Sequence, residues 1–132
     1  MPLPDPPPLR IRTARDAADL LGPTFEGATR ERLAILYLDA ERTVLGVSET
    51  RVGEEASIEL PMRPIIADAL RLDATGLILA HNHPSGDASP SEADITATRK
   101  LTQVASELGI RVHDHLVFAG ADCRSFRALG LL

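Results

Sequence analysis

At 132 residues, with 44% hydrophobic and 25% charged side chains, the chain has the make-up of one ordinary globular domain able to build a core without staples. Its net charge of −5, from 19 acidic against 14 basic residues with no basic run longer than Arg99-Lys100, argues against direct docking on nucleic-acid phosphates. A single cysteine, Cys123, excludes an internal disulfide, and no apolar run approaches the length of a membrane span, so a cytoplasmic protein without membrane contact is expected.

Taken in chain order, residues 1–12 are predicted to be a flexible tail, with prolines at 2, 4, 6, 7 and 8. Residues 13–26 form a short helical lead-in, its helix capped by Thr13, running to Leu21 and stopped by Gly22-Pro23. Residues 27–132 make up the domain proper. Leu33–Leu38 and Thr43–Ser48 are two strands joined by the hairpin signal Asp39-Ala40-Glu41-Arg42, and Ala56–Leu60 is a candidate third. Pro64 is placed as the first residue of a helix running to Leu72. Thr75–Ala80 is a short apolar strand. Ser91–Leu108 is the long helix, with Ala97, Leu101, Val104, Ala105 and Leu108 on one stripe and Gly109 just past its end. Ile110–Phe118 completes the sheet. This order predicts an α/β fold, a mixed sheet flanked by helices. Cys123 is expected to be a small buried hydrophobe.

The most informative stretch is His81-Asn82-His83-Pro84-Ser85-Gly86, followed by Ser91 and Asp94. The apolar run before it is of strand type and ends at the first histidine, so His81 and His83, at i and i+2, point to one face. Pro84, Ser85, Gly86, Asp87 and Pro90 then break the strand into a loop. Ser91-Glu92-Ala93-Asp94 has the spacing of a helix start, with Ser91 at the N-cap. A strand end, a tight loop and a first helical turn can thus bring two imidazoles and one carboxylate together. That ligand set suits a catalytic Zn²⁺, which takes three protein ligands and keeps one position open. Taken singly, Ser91 is an ordinary cap and Asp94 an ordinary first-turn acid.

His113-Asp114-His115 is a second H-x-H. Strand alternation places His113 and His115 on one face, with Val112, Asp114 and Leu116 on the other. No partner ligand follows at a suitable spacing, so a second metal site is not expected. The letters H-N-H do not indicate an HNH nuclease, because here the three residues are adjacent.

Two histidines one residue apart, then seven residues, a serine, two residues and an aspartate: His81, His83, Ser91 and Asp94 match this JAMM/MPN+ metalloprotease signature position for position. The longer string His-Asn-His-Pro-Ser-Gly with Pro90-Ser91 and Asp94 resembles the bacterial RadC branch. Arg63–Leu72, Asp114-His115-Leu116-Val117, Ser125-Phe126 and Gly130 extend the likeness over about residues 27 to 130, and the match at Asp114 and His115 implies a supporting or structural role for that pair. The resemblance implies the JAB/MPN (cytidine deaminase-like) architecture. It also implies a zinc metallohydrolase cleaving a peptide, isopeptide or other amide bond, with His81, His83 and Asp94 holding Zn²⁺.

The family also places a glutamate at the start of the first core strand, a position Glu31 occupies. The resemblance gives Glu31 the proton transfer and Ser91 a hydrogen bond to the oxyanion. The residues alone leave Glu31, Glu49, Glu54 and Glu55 open for the first role. The implied partner is a protein or peptide substrate, with a ubiquitin-like protein as one candidate. The alternative is a non-catalytic DNA- or repair-associated binding module that keeps the metal. Full-length RadC proteins carry a helix-hairpin-helix region before this domain, and residues 1–26 are too few to contain it. Substrate identity and oligomeric state are not written in these residues.

Overall fold

The computed structural model describes residues 8–51 and 60–132. Five strands, β1 (Arg32–Leu38), β2 (Val44–Arg51), β3 (Gly76–Asn82), β4 (Arg111–Ala119) and β5 (Asp122–Ser125), form one sheet in the order β2-β1-β3-β4-β5. Only β3 and β4 run parallel, because the helix α3 (Glu92–Glu107) connects them; the other neighbours are antiparallel. This is the expected class, a mixed sheet flanked by helices. Among the described residues no helix is long and apolar enough to cross a membrane.

The period of two along β1 and β3 sorts the core into two layers. Leu33, Ile35, Tyr37, Leu77 and Leu79 pack on Ile65 and Ala69 of α2 (Met62–Arg71) and on Leu101 and Ala105 of α3. Ala34, Leu36, Leu38, Ile78 and Ala80 pack on the opposite face against Ile11 and against Ala17, Leu21 and Phe25 of α1 (Ala14–Phe25). Every residue of β3 is buried, which explains why it reads as an unbroken apolar run rather than an alternation.

Four expectations need correction. First, α1 does not stop at Gly22-Pro23 but runs through both to Phe25. A proline inside a helix costs about 3 kcal/mol, less where only the last turn is affected. Burying Phe25 contributes about 1.5–3 kcal/mol and its ring pair with Phe118 about 0.5–1.5 more. Those rings stack with centroids 5.0 Å apart. Tertiary packing wins over the local stop signal.

Second, the predicted tail is tied down at its end. Val44 N–H donates to the Leu9 carbonyl, Ile11 N–H donates to the Arg42 carbonyl, and the Ile11 side chain is buried. Residues 1–7 lie outside the described part, as do Ala56–Glu59 of the candidate third strand.

Third, the buried stripe of α3 is Asp94, Thr98, Leu101 and Ala105, while Leu108 is 49% exposed. Aiming the first turn of the helix at the end of β3 rotates the apolar stripe and brings two polar residues inside. Pro64 likewise sits at the third helical position of α2, not the first. Fourth, Cys123 is exposed, because it lies on the short edge strand β5, whose residues Asp122–Arg124 all face solvent.

Strand β4 also departs from simple alternation. The β3–β4 register steps from Leu77↔Val112 to Ile78↔Asp114, leaving His113 as an extra residue. One inserted residue reverses the facing of everything beyond it. Val112 and His115 therefore share the α3 face, and His113 does not share a face with His115 as alternation predicted. The second H-x-H is split between the two sides of the sheet.

Candidate metal centre

His81 closes β3 on its α3 face, fully buried, and His83 lies two residues on, where the chain leaves the sheet. The His83 N–H still donates to the Phe118 carbonyl at 2.8 Å, so β4 fixes the first residue of the loop. A turn closed by Gly86 N–H on the His83 carbonyl, with Gly86 at φ 93°, returns the chain toward α3. Glycine suits that position because other residues adopt positive φ only with strain.

Ser91 caps α3 as expected. Its hydroxyl accepts from Asp94 N–H at 3.0 Å, and the Asp94 carboxylate accepts from Ser91 N–H at 2.8 Å, a reciprocal capping box. The box locks Asp94 in a buried orientation toward the histidines. His81 Nε2 and His83 Nε2 are 3.0 Å apart, and Asp94 Oδ2 lies 3.4 Å from the first and 3.1 Å from the second. These are the three residues that can hold a metal ion among those described.

The hydrogen bonds around them decide where the imidazole protons sit. Thr98 Oγ1 is 2.7 Å from the Asp94 carbonyl oxygen, which can only accept, so the threonine hydrogen points there. Thr98 must then accept from His115 Nδ1, 2.7 Å away, which leaves neutral His115 with a bare Nε2. Burial holds the His115 pKa well below its ordinary value, favouring that neutral form. The bare Nε2 accepts in turn from His81 Nδ1 at 2.6 Å. His83 Nδ1 donates to the Asp87 carbonyl at 2.7 Å by the same logic. Both His81 and His83 thus turn an Nε2 lone pair toward Asp94 Oδ2. Three lone pairs converging in a buried site repel one another unless a proton or a cation lies between them, so the donor set fits a metal.

Burial raises the cost of a charged Asp94, but a proton held between it and His81, in the place a cation would take, and the N–H bond from Ser91 outweigh it. Its pKa lies well below the usual carboxylate range, which keeps the residue anionic. Glu31 occupies the residue before β1. The Leu33↔His81 pairing, extended by two residues, places it across from His83. Desolvation raises its pKa, offset by a positive charge held at His81 and His83 and reinforced by Asp94. Its Oε2 is buried, with no hydrogen-bond partner among the described residues. Glu49 is on the other side of the sheet, exposed and accepting from Thr24 on α1, while Glu54 and Glu55 lie outside the described residues.

Sequence reasoning singled out neither Asn82 nor Thr98. The Asn82 carboxamide accepts from Arg32 N–H at 2.7 Å and donates to the Arg30 carbonyl at 3.0 Å, gripping the backbone on both sides of Glu31. The signal available was the amide between two histidines, which a strand places on the opposite face from both. Thr98 was legible only as a polar residue one turn after Asp94. His115, expected to have a supporting role, stacks on Phe126 with ring centroids 4.5 Å apart and braces His81. A cavity of about 410 Å³ on the α1 side of the sheet is bordered by Phe25, Phe118 and Pro84 and reaches His83, but not His81, Asp94 or Glu31.

The chain was compared with known proteins. The family model of the RadC-like JAB domain matches residues 11–131, reaching back into α1 and beyond the stretch from residue 27 expected from the motifs. The chain is 40% identical over 116 residues to the UPF0758 protein YfjY of Escherichia coli (strain K12), covering 88% of this chain and 72% of that protein. It is 42% identical over 102 residues to a UPF0758 protein of Rhodobacter capsulatus, and 38% identical over 122 residues to one of Moorella thermoacetica. It spans only 48% and 53% of the length of those two relatives.

Proposed function

Because the chain belongs to the RadC-like JAB domain family, we propose that it is a zinc-dependent hydrolase acting on a peptide, isopeptide or related amide bond. The observation that carries this reading is the convergence of two imidazole nitrogens and a carboxylate oxygen, with Glu31 across from His83 and its buried Oε2 unpartnered among the described residues. A structural zinc takes four protein ligands, whereas three converge here among the described residues, a number that leaves one position for chemistry. Zinc held by His81, His83 and Asp94 would polarise a carbonyl and bring the pKa of a coordinated water to about 7.

The protein's own groups supply the rest. Glu31, its pKa raised by burial, is suited to take a proton from the attacking water and return it to the leaving amine. Ser91 spends a lone pair on the helix cap, so its hydroxyl hydrogen is free to bond the oxyanion of the tetrahedral intermediate. His115 and Thr98 hold His81 in the tautomer that a metal needs. The proposed substrate is a peptide or the tail of a ubiquitin-like protein.

The test pairs metal content with turnover. Elemental analysis should find about one zinc per chain in the wild type and a loss in Asp94→Ala, with hydrolysis of peptide or isopeptide substrates in the wild type alone. Glu31→Gln should retain zinc and lose hydrolysis. Zinc-loaded Glu31→Gln with full turnover would overturn the assignment of Glu31. Protein that takes up no zinc on reconstitution would overturn the reading as a whole.

A further inference from the structure

On the other face of the sheet from the metal centre lies a cavity of about 320 Å³. Its apolar floor includes Ile11 and Ile78, and its rim carries Arg12, Arg42, Arg111 and Arg127. In a chain of net charge −5, four guanidiniums around one cavity are a concentrated local reversal of sign. Among the described residues, no carboxylate lies within ion-pair distance of any of them. One carboxylate, Asp114, lines the cavity as well, so the four guanidiniums outnumber it, and both acids of the region are held by other groups. Asp114 accepts from His115 N–H, Arg127 N–H and the Ser125 hydroxyl, and Asp16 caps α1 through the N–H groups of Arg12 and Thr13.

The backbone is shaped to present this cluster. The β-bulge in β4 turns His113 into the cavity, away from the face His115 takes. His113 lies so close against Gly76 that a Cβ there would stand 2.5 Å from its Nε2, and its Nδ1 is buried without a partner. Arg42 holds φ at 62°, a conformation that a residue with a side chain adopts at a cost. Arg127 Nε donates to the His113 carbonyl at 2.7 Å, which anchors its guanidinium beside the imidazole. A bulge, a strained arginine, a ring nitrogen and four guanidiniums without a carboxylate partner among the described residues meet in one place.

We infer that this cavity binds a small phosphate-bearing molecule of nucleotide size, separate from the metal centre. Guanidinium groups match phosphate oxygens two at a time, and a diphosphate balances several positive charges where one carboxylate would leave most uncompensated. The apolar floor suits an organic moiety attached to the phosphates, and the volume falls in the range of small-molecule sites. This inference does not depend on the hydrolase reading, since it uses none of the metal residues.

The test uses the full chain in the Asp94→Ala background, where a metal-bound phosphate cannot contribute. Pyrophosphate and ADP are titrated by calorimetry, and amide shifts are mapped by NMR. One saturable site is expected, with shifts at Arg111, His113 and Arg127, ADP binding more tightly than pyrophosphate. Arg42→Ala and Arg111→Ala, both at exposed positions, should each weaken binding at least about tenfold. Arg124→Ala, whose guanidinium pairs with Asp122 outside the cavity, should not. Absence of binding at millimolar ligand, or equal affinity in the Arg42 and Arg111 variants, would overturn the inference. So would tight binding of duplex DNA with neither small ligand bound.

Discussion

His115 Nε2 accepts a hydrogen bond from His81 Nδ1 at 2.6 Å, while its own Nδ1 donates to Thr98 Oγ1 at 2.7 Å. One imidazole thus carries the position of a helix α3 hydroxyl across to a strand β3 ligand. Partners of this kind typically change metal affinity by about 10–100-fold when removed. Thr98→Val keeps the shape of the side chain and deletes the acceptor. We expect zinc affinity to fall within that range in competition titrations, with the fold retained by circular dichroism. Nitrogen-15 shifts of His81 in the wild type should report the Nδ1–H tautomer.

Ser91 serves the cap through a lone pair and the proposed chemistry through its hydrogen, so substitutions can separate the two. Glycine at an N-cap costs only a few tenths of a kcal/mol relative to serine. Loss of an oxyanion donor costs about 10²–10³ in rate. Ser91→Gly should therefore fall in kcat by that factor while its urea midpoint barely moves. A parallel drop in both would assign Ser91 to the cap alone.

Asn82 grips Arg30 and Arg32 on either side of Glu31. In Asn82→Leu the Arg32 N–H and the Arg30 carbonyl lose their partner, at about 1–3 kcal/mol for each group that stays buried and unmade. Stability should fall, and turnover should fall with it even at saturating zinc, because the strand entry that carries Glu31 loosens. Zinc stoichiometry should stay at the wild-type value, since no ligand has been touched.

His113 predicts a pH dependence. Its pKa is lowered from 6.5 to about 4, first by burial and then by the charges of Arg42, Arg111 and Arg127. Between those values the unfolded chain binds a proton that the folded chain does not, so stability rises with pH there. The stabilisation is present above 6.5 and is lost as the pH falls toward 4. Urea melts across this window should show a shallower slope for His113→Gln than for the wild type. Buried His115 acts with the same sign in both proteins and cancels in the comparison.

Local spacing decided a good deal of this protein. Strand parity set His81 and His83 on one face, and the Ser91–Asp94 spacing announced a capped helix whose first turn could deliver a carboxylate. Both follow from periods of the backbone, which hold over a few residues wherever no bulge intervenes. The core strands β1, β2, β3 and β4 were legible for the same reason. What spacing could not supply was anything that depends on a partner distant in sequence.

The run of α1 through Gly22-Pro23 depends on the Phe25–Phe118 ring pair, and the rotation of the α3 stripe on where β3 ends. The bulge at His113 sends two histidines that look equivalent in the sequence to opposite faces, one to brace His81 and one to an arginine-rimmed cavity. A single inserted residue reverses strand parity, and pairing with a neighbouring strand, not local propensity, determines where that insertion falls. The three residues that could hold a metal were therefore readable from the sequence, whereas the groups around them, Thr98 and His115 beside His81 and Asn82 beside Glu31, were placed by the tertiary structure.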